Sequence, residues 1–172
     1  DDLVTGVQTC ALPICFGDYK NEETLPSLED QLRNPRASNG SETKITVGRE
    51  PGSEFLYSGG GYLILQLLVE EVSEVGFAEF VTRTLLHPIG MDRSNYDFLG
   101  SQINASASFN FDGSLSPTYK YASAAATGFV SSASDLSKLV LELLHEKNSP
   151  LEVETLRSMR EPHGFLLGSG IW

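Results

Sequence analysis

The segment from Tyr62 to Val75 constrains the fold most, because its apolar residues recur at helical spacing over more than one face. Its acidic side chains occupy another face, and they are Glu70, Glu71 and Glu74. An apolar surface this wide predicts a helix that is largely buried in a protein core. The most apolar stretch, Leu63 to Val69, is seven residues long and contains Gln66. A helix that spans a bilayer needs about 20 apolar residues, so no membrane span is expected in this chain.

Two shorter helices are predicted on either side of this segment. The first is expected to start after Pro26, because Leu25, Leu28 and Leu32 recur at helical spacing before Asn34-Pro35 stops the pattern. A second apolar pattern runs from Phe77 to about Leu86, and Pro88 stops it. The remaining parts of residues 16–54 and 90–130 predict loops and short strands, because they are rich in Gly, Pro, Ser and Asn.

Two further helix starts carry capping signals. Ser132, followed by Asp135 three residues later, resembles a capping box, in which the hydroxyl accepts from a first-turn N–H and the carboxylate reaches back. The apolar stripe predicted for this helix comprises Leu136, Leu139, Val140 and Leu143. Ser149-Pro150-Leu151-Glu152 predicts a second box with proline at the first helical position. The helix that follows is expected to end near Arg160.

The charge of the chain excludes several partner classes. Its 172 residues carry 12 Lys and Arg against 23 Asp and Glu, a formal net charge of −11. Because no basic cluster offsets this charge, nucleic acid is not expected as a partner, and an anionic membrane surface is disfavoured. An apolar content of 40% is typical of a globular domain rather than of a disordered segment.

The first residues do not fit the rest of the chain. Val4 to Ile14 reads VTGVQTCALPI, which matches a forward translation of a common sequencing-library adapter. We therefore expect residues 1–14 to be an adapter-derived artefact, and we assign Cys10 and Cys15 neither a disulfide nor a redox role. The expected coding sequence begins near residue 15, so the compartment stays open, with a periplasmic or secreted location among the alternatives.

Three short patterns resemble functional sites but lack residues or surroundings that such sites need. The three histidines have no partner at i, i+4, so neither a zinc site nor any other metal site is expected. Ser58 to Gly61 opens a helix but lacks the residues of a phosphate-binding loop, and no cofactor is expected. Ser41-Glu42-Thr43-Lys44 has the Ser-x-x-Lys spacing of an activated serine, but its neighbours are polar and predict no buried helix start.

Three longer blocks together carry a resemblance to a known family. The first is the run from Pro51 to Tyr62 with its helix, the second is Pro88-Ile89-Gly90-Met91-Asp92, and the third runs from Ala124 to Leu136. In order and spacing they are similar to the β-lactamase-related serine hydrolases, which include class C β-lactamases, D-amino-acid carboxypeptidases and esterases. The resemblance implies an α+β, serine β-lactamase/transpeptidase-like fold, of which this chain would carry chiefly the helical region. Residues 15–172 would then be a partial domain, without its N-terminal and C-terminal parts.

The resemblance also implies a catalytic residue. Tyr57 matches the tyrosine of the family's Tyr-x-Asn motif, which points into the active site and serves there as a base or proton relay. A phenol with a pKa near 10 becomes a useful base only where neighbouring cations stabilise its phenolate. In the family those cations come from a Ser-x-x-Lys helix and from a later strand, and both are expected to lie outside this chain. As the structural alternative, Tyr57 braces a loop.

Two departures from the family pattern bear on the chemistry and on the fold. Gly59 stands where the family often has Asn, so a side-chain amide that would hold the acyl group of the substrate is missing. Gly59 is thus a candidate substrate-binding position at which β-lactam or peptide recognition is weakened more than ester recognition. Glu74 replaces a glycine that usually ends the first helix.

The resulting expectation is a serine hydrolase that cleaves an amide or ester through an acyl-enzyme. Its substrate would be a small molecule or peptide: a β-lactam, a D-amino-acid peptide or a small ester. The chain as given is expected to be inactive, because the nucleophile would lie outside it. The alternative is a non-catalytic, penicillin-binding-protein-like module that binds a peptide or protein partner.

Overall fold

The computed structural model describes residues 19–20, 23–34, 59–96, 105–107, 109–117, 119–145 and 149–161. These residues form two compact units. The first comprises the residues up to Phe77 together with Tyr96–Phe129. The second comprises Ala78–Asn95 together with the residues from Val130 onward.

The described residues of the first unit form two helices and a short antiparallel strand pair. Strand β1 (Tyr19–Lys20) pairs with β2 (Tyr119–Lys120), with Tyr19 opposite Lys120. Helix α1 (Leu28–Arg33) packs against α2 (Gly59–Ser73). The predicted helix after Pro26 is confirmed as α1, and the Ser27 hydroxyl caps it by accepting from the N–H of Asp30 over 3.1 Å.

The core of the first unit lies between these two helices. Leu63 of α2 is completely buried and clusters with Leu28 of α1, and partly buried apolar side chains surround the pair: Leu32, Leu67 and Ala126. The opposite face of α2 is open, since Tyr62, Leu68 and Val72 are more than half exposed in this chain. The prediction of a helix is confirmed, but the prediction of burial on most of its surface is wrong. Apolar spacing does not tell which face finds a partner.

A residue in the left-handed region ends α2. Glu74 has φ +58°, and among the described residues it is the only non-glycine with positive φ. This conformation brings the Cβ of an L-residue close to its own backbone, which explains why glycine is favoured at such helix ends. The next helix is then capped by α2 itself, because the Glu70 carboxylate accepts from the N–H of Phe77 over 3.1 Å.

Helix α3 (Phe77–Val81) begins at the last residue of the first segment of the first unit, and its other residues belong to the second unit. A π-helical turn, Thr82–Leu86, follows it. The helix predicted from Phe77 to about Leu86 is thereby confirmed. The turn ends before Pro88, and the N–H of Met91 returns to the carbonyl of Leu86 over 2.8 Å. Gly90 permits this reversal, since its φ is +75°.

Two amphipathic helices of the second unit pack against each other: α4 (Ala133–Leu144) and α5 (Val153–Arg160). Among the described residues of this unit, the buried apolar side chains are Leu86, Met91, Leu143 and Leu156. Of the stripe predicted for α4, Leu143 is buried and Leu139 half-buried, whereas Leu136 and Val140 are exposed.

The two predicted capping boxes have different outcomes. Ser132 caps α4 as predicted, by accepting from the N–H of Asp135 over 3.2 Å. The predicted start of α5 at Pro150 is wrong, because the helix begins at Val153 after Glu152. The hydroxyl of Ser149 instead accepts from the N–H of Leu151 over 3.2 Å, which forms a local turn in place of a helix cap. The predicted end at Arg160 is confirmed.

Candidate active site

The first candidate position that the structure describes is Gly59, the first residue of α2. Tyr57 and Ser58 precede it directly in sequence and lie outside the described residues, as do Ser41, Lys44 and the segment from Val4 to Ile14. The proton-transfer role of Tyr57 and the substrate-binding role of Gly59 therefore stay predictions. Gly59 is partly accessible, while Gly60 behind it is buried, so the helix presents its first residue rather than its second to solvent.

Gln66, a polar residue that no sequence motif marked as functional, lies three residues after Leu63 on the buried face of α2. Gln66 is 4% exposed, and both ends of its amide are bound to one loop. Its Nε2 donates to the carbonyl of Ala122 over 3.1 Å, and its Oε1 accepts from the N–H of Ala125 over 3.1 Å. The signal that could have found it is its position as the polar interruption of the apolar stretch Leu63 to Val69.

The loop bound by Gln66 overlaps the third block of the family resemblance, which begins at Ala124. Within it, the carbonyl of Ser123 accepts from the N–H groups of Ala126 and Thr127 over 2.9 and 3.0 Å. Gly128 closes the loop with φ +88°, and a Cβ there would meet the Tyr121 ring at 3.3 Å. The loop from Tyr121 to Gly128 is therefore a defined turn whose ends meet, and a larger residue at Gly128 would both strain the backbone and crowd the ring.

Three aromatic rings of the first unit contact one another in sequence, with Tyr96 in the middle. Tyr96 contacts Phe77 in an edge-to-face arrangement with ring centroids 5.6 Å apart, and it contacts Phe129 at 5.1 Å. Burial raises the pKa of Tyr96 above its ordinary value. A phenol with a raised pKa stays protonated at neutral pH, so Tyr96 is suited to packing rather than to proton abstraction.

In the second unit, a buried carboxylate accepts hydrogen bonds from three donors. Asp135 is 1% exposed, and its Oδ2 accepts from the N–H of Arg93 and from the hydroxyl of Ser94, each over 2.8 Å. Its Oδ1 accepts from Lys138 Nζ over 2.9 Å, and Lys138 also donates to the carbonyl of Gly90. The predicted reach of this carboxylate back to the start of its own helix is therefore wrong, because the Gly90–Ser94 turn occupies it.

The electrostatics of this cluster indicate a structural role. The hydrogen bond from Lys138 lowers the pKa of Asp135 most, and the bonds from Ser94 and Arg93 lower it further, while burial acts in the opposite direction. Ser94 is 5% exposed and its hydroxyl is engaged by the Asp135 carboxylate, so it is suited to a structural contact. Its hydroxyl also lies 2.8 Å from that of Ser131, which extends the cluster to the residue before the α4 cap.

No metal site or membrane-spanning helix is present in the part of the chain that the structure describes. In these residues no three His, Cys, Asp or Glu side chains come close enough to hold an ion. His87 and His145 are exposed, and His163 lies outside the described residues. Within the same ranges no helix combines the length and apolarity required to cross a bilayer.

Comparison with known proteins places these observations in one family. A sequence model of the beta-lactamase family matches residues 29–166, which is well over half of the chain. The protein flp of Staphylococcus aureus (strain COL) is 28% identical over 90 residues, covering 52% of this chain and 17% of that protein.

Solved structures share the fold at low sequence identity. A penicillin-binding protein from Bacillus halodurans is 24% identical with a TM-score of 0.64, over 94% of this chain and 50% of that one. A beta-lactamase/D-alanine carboxypeptidase from Pseudomonas syringae is 17% identical with a TM-score of 0.63, over 91% of this chain and 42% of that one.

The chain thus spans half or less of the solved structures that it resembles, and less than a fifth of the curated relative. The described residues are mainly helical with one short strand pair, as expected for the helical region of an α+β fold. Because the family model matches residues 29–166, the chain belongs to the beta-lactamase family.

Proposed function

We propose that the protein to which this chain belongs hydrolyses an amide or ester bond through a covalent acyl-serine intermediate, with Tyr57 transferring the proton. The family match carries this proposal, because it extends across Tyr57 and the whole of α2. The start of α2 at Gly59 also supports it, since a helix that begins two residues after the tyrosine agrees with the family's order of motif and helix.

The proposed reaction has two steps, acylation of the serine and hydrolysis of the acyl-serine. Tyr57, as phenolate, takes the proton from the serine hydroxyl while the serine oxygen attacks the carbonyl carbon, and the leaving group then departs with that proton. Water attacks the acyl-serine in the same way, which returns the serine hydroxyl and releases the acid. The serine and the cations that keep Tyr57 ionised would come from the rest of the protein.

The substrate is proposed to be a small ester in preference to a β-lactam or a peptide. A glycine at position 59 offers no side-chain amide to hold the acyl group of the substrate. An activated ester depends less on that contact, because its leaving group departs more readily than an amine. A Gly59→Asn variant should therefore raise turnover of amides relative to esters.

The test compares Tyr57→Phe with wild type in the whole protein on a small activated ester. Phenylalanine keeps the ring but removes the oxygen that accepts the proton, so kcat should fall by about 10²- to 10⁴-fold while stability changes little. Tyr62→Phe is the matched control, because Tyr62 is 53% exposed on α2 and has no proposed role. Mass spectrometry of the wild type after mixing should show the added acyl group.

Two results would contradict the proposal. Equal kcat values for Tyr57→Phe and wild type would make Tyr57 a loop brace. A protein without turnover or acylation on esters, β-lactams and D-amino-acid peptides would favour the alternative, a module that binds its peptide or protein partner without cleaving it.

A further inference from the structure

Gln66 is an unusual residue for its surroundings. It interrupts an apolar stretch and is 4% exposed, on a helix whose other buried residues are Gly60 and Leu63. A buried amide is costly unless its donors and acceptor are all engaged. Three hydrogen bonds engage this one, so the position is suited to a specific contact rather than to packing.

The three bonds link three separate parts of the first unit. Two of them hold the backbone of the loop from Tyr121 to Gly128, at the Ala122 carbonyl and the Ala125 N–H, each over 3.1 Å. The third runs from Nε2 to Oε1 of Glu70 over 3.0 Å, and the same oxygen accepts from the N–H of Phe77. Gln66 therefore ties the loop to α2 and, through Glu70, to the start of α3.

The loop also packs against the core of the first unit. Gln66 holds Ala122 and Ala125, whereas Ala126 packs against the Leu28–Leu63 pair. Leu63 is three residues closer to Gly59 than Gln66 is, which corresponds to about 4.5 Å along a helix. Beyond Ala126, the chain continues to Thr127 and Gly128, whose φ of +88° turns it back on the Tyr121 ring.

We propose that Gln66 is a positioning residue for substrate binding, because it fixes this loop to α2, the helix that begins two residues after Tyr57. The inference rests on the proposed hydrolase function. Gln66 touches neither substrate nor reacting atoms in this role, and its loss releases the loop without changing the group that moves the proton. Its removal therefore affects KM more than kcat.

The test uses Gln66→Met in the whole protein. Methionine has nearly the same length and tolerates a buried apolar site, but it offers no amide to Ala122 or Ala125. The N–H of Ala125 should exchange with solvent about threefold to tenfold faster, the range expected for losing one neutral hydrogen bond. KM for the activated ester should rise by a similar factor, with kcat within about twofold of wild type.

Two further variants separate positioning from general damage. Gln66→Glu keeps an oxygen that can accept from Ala125, so protection of that N–H should be regained in part. Glu71→Gln is the matched control on the exposed face of α2, and both the exchange rate and KM should stay at their wild-type values.

Each outcome bears on a different claim. An unchanged hydrogen-exchange rate at the Ala125 N–H in Gln66→Met would show that Gln66 does not hold the loop. Faster exchange with unchanged KM, or with kcat and KM changing together, would overturn the positioning role and leave a purely structural bond. A wild-type protein without turnover would refute the hydrolase function and the effect on KM with it. The hydrogen-exchange rate at the Ala125 N–H would still show whether Gln66 holds the loop.

Discussion

The hydroxyl of Ser94 donates to the carboxylate of Asp135 over 2.8 Å, and both residues are buried. This contact ties the turn that follows the π-helical segment to the first turn of α4. Asp135 lies within the third block of the family resemblance, and Ser94 follows the second block by two residues. The chain just after the second block thus meets the third block at a structural contact rather than at a reacting group.

Replacing Ser94 by alanine should destabilise the protein by about 1–3 kcal/mol, because a buried charged acceptor loses one of its donors. Ser137→Ala is the control, since the Ser137 hydroxyl donates to the Ala133 carbonyl on the exposed side of α4. That change should cost less than about 0.5 kcal/mol. Urea unfolding of the two variants measures the difference, and equal midpoints would contradict the assigned role of Ser94.

Stability should depend on pH through Asp135. Because hydrogen bonds from Lys138, Ser94 and Arg93 lower the pKa of its carboxyl in the folded protein, the ionised form is favoured by folding. The stabilisation is fully present above the unfolded-state pKa of about 3.9 and is lost as the pH falls through the lower folded value. Thermal unfolding of wild type and Asp135→Asn should therefore differ most near neutral pH and converge below about pH 4. A constant difference across the range would exclude this carboxyl as the cause.

The two faces of α2 should respond differently to truncation. Leu63→Ala removes a completely buried side chain and should cost about 2–5 kcal/mol. Leu68 is 54% exposed, so Leu68→Ala should cost less than about 1 kcal/mol in this chain. Chemical unfolding of both variants under the same conditions provides the comparison. Equal costs would show that the open face of α2 is covered.

Glycine at position 74 should stabilise the protein by about 0.5–1 kcal/mol, because Glu74 sits at φ +58° and glycine adopts this conformation without a Cβ contact. Glu74→Ala removes the same charge but keeps the Cβ, so it should bring no such gain. A higher urea midpoint for Glu74→Gly alone, with an unchanged slope, is the expected result. A similar gain in both variants would assign the effect to charge.

Local signals predicted the helices well where the capping and spacing residues act within one turn. Leucine spacing located α1, Pro88 bounded the segment that begins at Phe77, and Ser132 marked the start of α4. The start of α5 was misplaced because the hydroxyl of Ser149 caps a turn at Leu151, and a Ser-x-x-Glu pattern does not distinguish the two arrangements.

The long-range contacts within each unit could not be predicted in the same way. Gln66 bonds to Ala122 and Ala125, which lie more than fifty residues away in sequence. Asp135 bonds to Ser94, which lies about forty residues away in sequence. The sequence shows a polar residue in an apolar stretch and an acidic residue near a cap, but it does not show their partners. The family resemblance supplied the position of Tyr57, which no local pattern of spacing or charge would have selected.

The pairing of β1 with β2 has a consequence for how the first unit assembles. Tyr19 and Lys120 are about a hundred residues apart in sequence, and the strands they join are two residues long. Closing so long a loop costs entropy that a ladder of this length does not recover by itself. We therefore expect β1 to join last in folding, after α1 and α2 have packed and the β2 segment has been carried into place beside them.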